Sequence, residues 1–363
     1  MNIRPPELFF YAMNIISHIR QKAAFLSSIV LAAVLTGCSN SFIYDYEGDC
    51  EPNYRVRFRY DYNLKYADAF ASEVDHVTLS VVDADGKIVY THRESGDALK
   101  ADGYEVVLDD KVKPGKYRLH AWCGSGAEPG NGSFAVHEAD VLTDLRCTLL
   151  PDPATRADIA GAEGTHLNRR LDNLYHGLTG SLDFVDDEGT HTFEVPLMKN
   201  TNSIKVVLQH LSSTPLNAAD FDFVITSANA RMDHDNSIIA ADPVKYHAWS
   251  VRPGSATINP GDPNTGGDYT AAVAEFTIGR LMADEDVRLE VFRKSDGEKV
   301  FSVNIVDMAL LVKSANLASM PAQEFLDRQD DYNFIFFLDQ GLRWTQVQIN
   351  ILSWTLVQYN TEI

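Results

Sequence analysis

Strict alternation of polar and apolar side chains marks the stretch RVRFRYDY at residues 55–62. Val56, Phe58 and Tyr60 fall on one side of the chain, and the arginines between them fall on the other. Successive side chains of a strand point to opposite faces of a sheet, so a repeat of two residues is typical of a strand with one buried face. The stretch therefore predicts a half-buried β-strand.

Signals of the same kind continue outward from this strand. The segment DADGK at residues 83–87 separates two apolar runs, and its Asp-Gly pair predicts a β-hairpin. Further short strand patterns recur at the spacing of a β-sandwich and lie at residues 104–108, 117–122, 134–136, 147–150, 192–197, 203–209, 221–225, 272–278, 287–292, 300–305 and 334–338. The sequence thus predicts an all-β protein of two β-sandwich domains, 38–197 and 198–363, divided near residue 197.

Three segments depart from simple alternation. Leucines at helical spacing predict a short helix within 167–178, and a helical turn is expected at 318–326, with Ser319 as its cap and Pro321 in its first turn. Residues 344–359 have the pattern of a terminal strand whose apolar residues change parity, which predicts a β-bulge. The bulge is placed near Ile351, between two alternating sets that consist of Val347, Ile349 and Ile351, and of Leu352, Trp354 and Leu356.

The composition argues against two classes of protein. The chain has 363 residues, a length typical of about two domains. It has 31 Lys and Arg against 51 Asp and Glu, so its formal net charge of −20 would be repelled by a phosphate backbone, and no nucleic-acid partner is expected. Only one segment approaches the roughly 18 apolar residues that span a bilayer, and its N-terminal position argues against an integral membrane protein.

That N-terminal segment has the pattern of an export signal. Basic residues precede an apolar run at 23–35, which is the order found in secretory signal peptides. The run continues into LTGC at residues 35–38, which resembles the lipobox of bacterial lipoproteins. We predict a signal peptide at 1–37, cleavage between Gly37 and Cys38, and a lipid on the Cys38 thiol. The alternative is an ordinary signal peptide with an incidental cysteine.

Two further features of this region bear on location and on the start site. Ser39, rather than an Asp, follows the cysteine, which favours the outer membrane in Gram-negative sorting. Since two or three acyl chains anchor a protein firmly whereas one binds only marginally, we expect a lipid-anchored, surface-exposed protein. The apolar run lies unusually far from Met1, and Met13 would give a more ordinary signal, so both start sites stay open.

The sequence predicts no cofactor, no metal and no enzymatic activity. Cys50, Cys123 and Cys147 allow one disulfide whose pairing stays open, and they lack the spacing of a zinc site. No catalytic motif of a known hydrolase is found. The most oxygen-rich cluster is interpreted as an acidic surface loop and consists of Asp233, His234, Asp235, Asn236 and Asp242.

The tryptophans allow two interpretations. Their strand contexts favour packing in a core or at a domain interface, where large aromatic side chains are usually buried. The alternative is a platform on which sugars stack. The four residues are Trp122, Trp249, Trp344 and Trp354.

Several stretches together resemble a known family. They are Cys38 with IYDYEGDC at 43–50, FRYDYNLKYADAF at 58–70, PGKYRLHAW at 114–122, LYHG at 174–177, LMKNTN at 197–202, and LDRQDDY at 326–332 continuing to FFLD at 336–339 and Trp344. In this order and spacing they resemble the FimB-type fimbrial anchor subunits of Bacteroidales over essentially the whole mature chain. One departure is Cys123 after Trp122, where a non-cysteine residue is expected.

The resemblance implies both a fold and a role. The fold would be two tandem transthyretin-like Greek-key β-sandwich domains. The role would be a lipid-anchored outer-membrane subunit that attaches the base of a fimbria to the cell and limits its length. Its partners would be fimbrial shaft or accessory subunits, joined by β-strand addition, together with the outer membrane through the lipid on Cys38.

Two questions stay open within this interpretation. The alternating sets at 344–359 are the candidate strand-exchange residues, but this terminal segment could equally pair within its own domain. The alternative function is a surface lipoprotein that binds glycan.

Overall fold

Most regular elements in the described part of the chain are β-strands. A computed structural model describes residues 52–125, 132–151, 165–212, 214–240, 243–256, 269–351 and 354–359. The strands before residue 200 are β1 (Asn53–Arg59), β2 (His76–Asp83), β3 (Ile88–Ser95), β4 (Val106–Val107), β5 (Gly115–Gly124), β6 (Phe134–His137), β7 (Arg146–Leu149), β8 (Thr165–Leu167), β9 (Leu174–Leu178), β10 (Leu182–Phe184), β11 (Thr190–Pro196) and β12 (Met198–Lys199). The predicted all-β class is confirmed.

The strands after residue 200 are longer on average and build the second half of the fold. They are β13 (Thr201–His210), β14 (Phe221–Ser227), β15 (Arg231–Asp233), β16 (Val244–His247), β17 (Ser250–Ala256), β18 (Tyr269–Gly279), β19 (Arg288–Arg293), β20 (Lys299–Asn304), β21 (Asp331–Leu338), β22 (Trp344–Ile351) and β23 (Trp354–Tyr359).

The described helices are short and few. They are α1 (Phe70–Glu73), α2 (Ile305–Asn316) and α3 (Ala322–Arg328), with single 3₁₀ turns at Asp97–Lys100, Asp109–Lys111, Leu142–Asp144 and Ala218–Asp220.

Two sheets of the first half pack face to face as a sandwich. One has the order β11-β1-β4, with β1 parallel to β11 and antiparallel to β4. The other has the order β12-β9-β5-β2-β3, with β10 beside β5. Tyr54, Val56 and Phe58 of β1 are buried between these sheets, as the alternation predicts. Phe184 and Phe193 stack with ring centroids 4.1 Å apart in the same core.

The second sandwich is larger. Its sheets have the orders β17-β18-β13-β21-β22-β23 and β20-β19-β14-β16-β8, and their facing side chains form the largest apolar cluster. A smaller sheet, β15-β7-β6, pairs strands from both halves of the chain, as does the β8–β16 pair. The predicted division near residue 197 and the transthyretin-like connectivity stay predictions.

The first hairpin forms where the Asp-Gly signal predicts it. The Asp83 carboxylate accepts hydrogen bonds from the backbone N–H groups of Asp85 (3.0 Å) and Lys87 (2.8 Å). Gly86 has a φ of +86°, a left-handed conformation that glycine adopts without steric cost. The carboxylate is thus used to close the turn between β2 and β3.

Three local predictions were wrong. The segment 167–178 contains no helix: Leu167 ends β8, Leu174 begins β9 and Leu178 ends it, so three of its four leucines belong to two strands of different sheets. The strand predicted at 300–305 is present as β20, but the helix that follows it was missed: the Asn304 side chain accepts hydrogen bonds from Val306 N–H (2.9 Å) and Asp307 N–H (3.4 Å) and starts α2.

The end of the chain and α3 also differ from expectation. Residues 344–359 form a hairpin of two strands rather than one bulged strand, since Ile351 pairs directly with Trp354. The change of parity therefore marks a chain reversal. The helix expected near 318–326 exists as α3, but it begins after Pro321 rather than at Ser319.

Candidate functional site

The terminal hairpin, β22 and β23, lies at one end of the second sandwich's six-stranded sheet. β22 pairs with β21, and β23 pairs with β22 as the last strand of that sheet among the described residues. The terminal strand thus pairs within its own sheet in this structure. The edge of β23 that faces away from β22 is the kind of strand edge onto which an additional strand can be added.

The two strands of the terminal hairpin are buried to different extents. Val347, Ile349 and Ile351 of β22 have no exposed surface and belong to the large core. On β23, Leu356 packs against that core while only partly buried, and Val357 is 41% exposed. β23 is therefore held less by side-chain burial than β22.

Two of the candidate strand-exchange residues have limited description. Leu352 lies outside the described residues, and Trp354 is placed in β23 by its backbone pairing with Ile351. The assignment of these residues to strand exchange stays a prediction.

A cluster of charged side chains connects the first half of the chain to the second. The Lys199 ammonium lies 3.2 Å from the Glu73 carboxylate and 2.6 Å from that of Asp330. The Tyr175 hydroxyl donates a hydrogen bond of 2.7 Å to Glu73. We call Glu73, Tyr175, Lys199 and Asp330 the junction cluster. Burial alone would lower the pKa of Lys199, but the carboxylates of Asp330 and Glu73 outweigh it and raise that pKa.

An arginine beside the junction cluster adds aromatic contacts. The Arg328 guanidinium lies 3.9 Å from the ring centroid of Tyr62 and 5.0 Å from that of Tyr66. The Arg328 carbonyl accepts a hydrogen bond of 3.1 Å from Leu64 N–H. Since a cation is attracted to the face of an aromatic ring, these contacts reinforce the connection between the segment after β1 and the end of α3.

A buried ion pair joins Arg280, directly after β18, to Asp327 of α3, and we call this pair the buried fork. Arg280 Nε and Nη2 each donate to one oxygen of Asp327 at 2.8 Å, a bidentate geometry. The side chains are only 10% and 6% exposed. Arg280 also donates to the Asn236 carbonyl, and Gln323 donates to Asp327 at 2.9 Å. Every oxygen of the Asp327 carboxylate is thereby paired.

Four of the stretches that carry the family resemblance meet in this region. They contribute Tyr62 and Leu64 from 58–70, Tyr175 from 174–177, Lys199 and Asn200 from 197–202, and Asp327, Arg328 and Asp330 from 326–332. Sequence reasoning missed this convergence. The available signal was the opposite charge of Lys199 and Asp330, each directly beside a residue that the structure buries, Asn200 and Gln329.

The acidic cluster has ligand atoms close together, but the protein already uses them. Single ligand atoms of Asp233, His234 and Asp235 lie within 4.8 Å of one another. Asp233 pairs with Arg146 at 2.8 Å, and Asp235 accepts hydrogen bonds from the Ser237 backbone and hydroxyl. These partners explain the arrangement without a cation, and Asp242 lies outside the described residues.

Cys123, Cys147 and Trp122 are buried, whereas Trp249 and Trp344 are half-buried. Cys123 and Cys147 are free thiols, and burial raises the pKa of both, so neither favours the reactive thiolate. Trp122 belongs to the large core, and Trp344 packs against it, so the expected core packing holds for these two. Gly37, Cys38 and Cys50 lie outside the described residues.

Comparison with known families identifies the kind of protein. A family model described as fimbrillin-A associated anchor proteins Mfa1 and Mfa2 matches residues 46–360. The chain belongs to this family. The predicted resemblance to fimbrial anchor subunits is therefore confirmed, and the chain has a fimbria-associated role.

Solved structures agree with the family assignment. A candidate adhesin from Bacteroides thetaiotaomicron is 34% identical, with a TM-score of 0.72 over 85% of this chain and 99% of that one. A candidate polysaccharide-binding protein from the same organism is 27% identical, with a TM-score of 0.69 over 86% and 99%. The fimbrial anchor protein Mfa2 from Porphyromonas gingivalis is 17% identical, with a TM-score of 0.59 over 85% and 100%, and shares the fold.

Two further findings concern the curated relatives and the helices of this anchor-family protein. A search of curated proteins gives no significant match. Among the described residues, no helix is both long and apolar enough to cross a membrane.

Proposed function

We propose that this protein is the lipid-anchored base subunit of a fimbria, which attaches the fimbria to the outer membrane, limits its length and joins its neighbour by β-strand addition. Membership of the anchor family over residues 46–360 is the observation that carries the proposal. The motif LTGC at 35–38 supports the lipid anchor, since its cysteine is where a lipoprotein would be acylated. The role is structural, and no catalysis is part of it.

The geometry supports the terminal hairpin as the site of strand addition. β23 is the last strand of its sheet, and the described side chains on it are less buried than those of β22. A strand held mainly by backbone pairing can be replaced by another strand, because main-chain hydrogen bonds do not depend on side-chain identity. We infer that a strand of a neighbouring subunit replaces β23 at this edge.

The lipid anchor is tested by replacing the acylated thiol. In cells that make fimbriae, Cys38→Ser should abolish incorporation of labelled palmitate and release filaments into the medium or change their length. Ser39→Ala is the matched control, because it alters the next residue and leaves the thiol in place. Normal labelling of the Cys38→Ser protein, or cell-bound filaments of unchanged length, would sink the anchor proposal.

Strand addition is tested separately by fixing the terminal hairpin with a disulfide. Gln348 and Val357 lie directly opposite each other on β22 and β23, so a Gln348→Cys/Val357→Cys pair can form a disulfide in a Cys50→Ser background. The matched control is Glu290→Cys/Ser302→Cys, which fixes the β19–β20 hairpin of the other sheet.

The readout is the fimbrial subunits that co-purify with each variant after mild detergent extraction. Oxidised Gln348→Cys/Val357→Cys protein should lose them, and reduction should restore them, whereas the control should retain them in both states. Normal co-purification with the hairpin disulfide closed would show that β23 is not replaced during assembly and would contradict this inference.

A further inference from the structure

A polar cleft lies on the face of the β2–β5 sheet that points away from the core of the first sandwich, and none of its lining residues belongs to the terminal hairpin. It has a volume of about 330 Å³, at the lower end of the range of small-molecule pockets. Its floor is formed by β2 and β5, and its sides by β3 and the segment that follows β6. We call this space the polar cleft and describe it through Thr78, Ser80, Thr91, His120 and Trp122.

The floor of the polar cleft is polar where a buried sheet face is usually apolar. Thr78 pairs with Trp122 and Ser80 pairs with His120 across β2 and β5, so these four side chains share one face. Their exposed fractions are 7%, 2%, 3% and 1%. Hydroxyl, indole and imidazole groups are therefore held in a nearly solvent-free surface beside an open space.

Two of these buried groups have no hydrogen-bond partner. Within the described part of the chain, His120 Nε2 and Trp122 Nε1 are unpaired. A buried donor or acceptor without a partner is costly, so native structures rarely leave one in that state. Both residues line the polar cleft, and a hydroxyl-bearing molecule inside it is the kind of partner they lack.

The charge of the polar cleft disfavours an anionic ligand. The Arg93 guanidinium is already paired with the Glu138 carboxylate at 2.7 Å, and both side chains are largely exposed at the rim. Asp140 adds a second carboxylate to the lining, which would repel an anion. Burial, with a smaller contribution from His176, lowers the pKa of His120 well below its usual value, so the floor stays uncharged at neutral pH.

We propose that the polar cleft binds an uncharged, hydroxyl-rich ligand of the size of a sugar unit, with Ser80, Thr91, His120 and Trp122 exchanging hydrogen bonds with its hydroxyls. This binding site is distinct from the strand-exchange edge and goes beyond the anchor function. It would let a subunit at the fimbrial base recognise glycan at the cell surface while the terminal hairpin engages the fimbria.

The test uses the purified mature protein and a defined panel of sugars. Saturation-transfer NMR is recorded with glucose, galactose, mannose, fucose and N-acetylglucosamine, and with glucuronate as the anionic counterpart of glucose. At least one neutral sugar should receive saturation, and glucuronate should bind more weakly than glucose. A panel in which no neutral sugar binds, or in which glucuronate alone binds, overturns the proposal.

Variants then place the binding in the polar cleft. Ser80→Ala and Thr91→Val remove single hydroxyls, and each should weaken binding about tenfold, the effect of one lost hydrogen bond. Thr192→Val removes an exposed hydroxyl from β11 in the other sheet and should leave binding unchanged. Binding that survives both Ser80→Ala and Thr91→Val, in variants whose thermal unfolding matches the parent protein, would place the sugar elsewhere and overturn the proposal.

Discussion

The region around the junction cluster and the terminal hairpin are stabilised in different ways. The junction cluster and the neighbouring buried fork depend on specific side chains: one ammonium placed between two carboxylates, and one bidentate arginine that is only 10% exposed. The outer strand of the terminal hairpin depends on backbone pairing with β22, and its described side chains are at best partly buried.

This difference indicates which part of the molecule can change and which cannot. Side-chain pairs of this kind are lost when either partner is removed, since a buried charge is left unpaired. Any extended strand can supply the backbone N–H and C=O groups for this pairing. A strand held in this way can therefore be exchanged while the side chains of the core stay unchanged. A subunit that must keep its two halves fixed while it joins a neighbour would need both arrangements.

The largest expected effect is at the buried fork. Asp327→Asn keeps the shape of the side chain but removes its charge, which leaves the Arg280 guanidinium buried without a carboxylate. We expect the free energy of unfolding, measured by urea denaturation, to fall by about 3–5 kcal/mol. Asp286→Asn is the control, because Asp286 pairs with Arg288 on the exposed surface, and it should cost less than about 1 kcal/mol. Equal losses in the two variants would contradict the comparison.

A pH effect of intermediate size is expected from His176, whose ring nitrogen Nε2 lies 2.8 Å from the His234 carbonyl near the junction cluster. Burial lowers the pKa of His176 to about 4, although the hydrogen bond to His234 opposes the shift and Arg280 adds to it. The unfolded chain, with a histidine pKa near 6.5, binds this proton first as the pH falls. Stability should therefore be complete above about pH 6.5 and decline towards pH 4, with a loss of about 2 kcal/mol at pH 5.

The measurement compares unfolding of the wild-type protein and of His176→Gln at pH 7.5 and pH 5. The variant should lose less stability on acidification, and His120, whose pKa is also lowered by burial, should account for part of the remainder. An identical loss in both proteins would show that His176 is not a source of the acid sensitivity.

A smaller effect is expected at the junction cluster itself. Lys199→Met removes the ammonium between Glu73 and Asp330, but these carboxylates are 35% and 36% exposed and can be hydrated. The expected loss is therefore about 1–2 kcal/mol, less than for the buried fork. Lys299→Met provides the control, since Lys299 is 48% exposed and has a single carboxylate partner in Glu290. A loss in Lys199→Met no larger than in the control would mean that the junction cluster does not stabilise the connection between the halves.

How much of the fold and of the candidate site could be predicted from sequence depends on how far apart the interacting residues lie along the chain. The alternation at 55–62 predicts β1 correctly because burial of one face imposes a period of two on neighbouring residues. The junction cluster has no such local signature, since Lys199 is 126 residues from Glu73 and 131 from Asp330.

Two local errors have local reasons. The connection between Ile351 and Trp354 is Leu-Ser, which lacks the Gly, Asn, Asp or Pro that usually signals a turn, so the terminal hairpin was interpreted as one strand with a bulge. Helix α2 follows β20 without a break, and its buried residues Ile305, Val306 and Ala309 continue the apolar pattern of the strand. The Asn304 cap was the available signal for its start.

The smallest predicted effect separates the two strands of the terminal hairpin. Leu356→Ala on β23 removes a partly buried side chain, and we expect a loss of about 1 kcal/mol in the free energy of unfolding. Ile349→Ala on β22 removes a side chain with no exposed surface, and it should cost about 2–4 kcal/mol. Because the two residues are register partners, they occupy the same position along the hairpin, and the comparison contrasts burial on its inner and outer strands. A loss at Leu356 as large as that at Ile349 would mean that β23 is part of the fixed core, and strand exchange would then have to use a different edge.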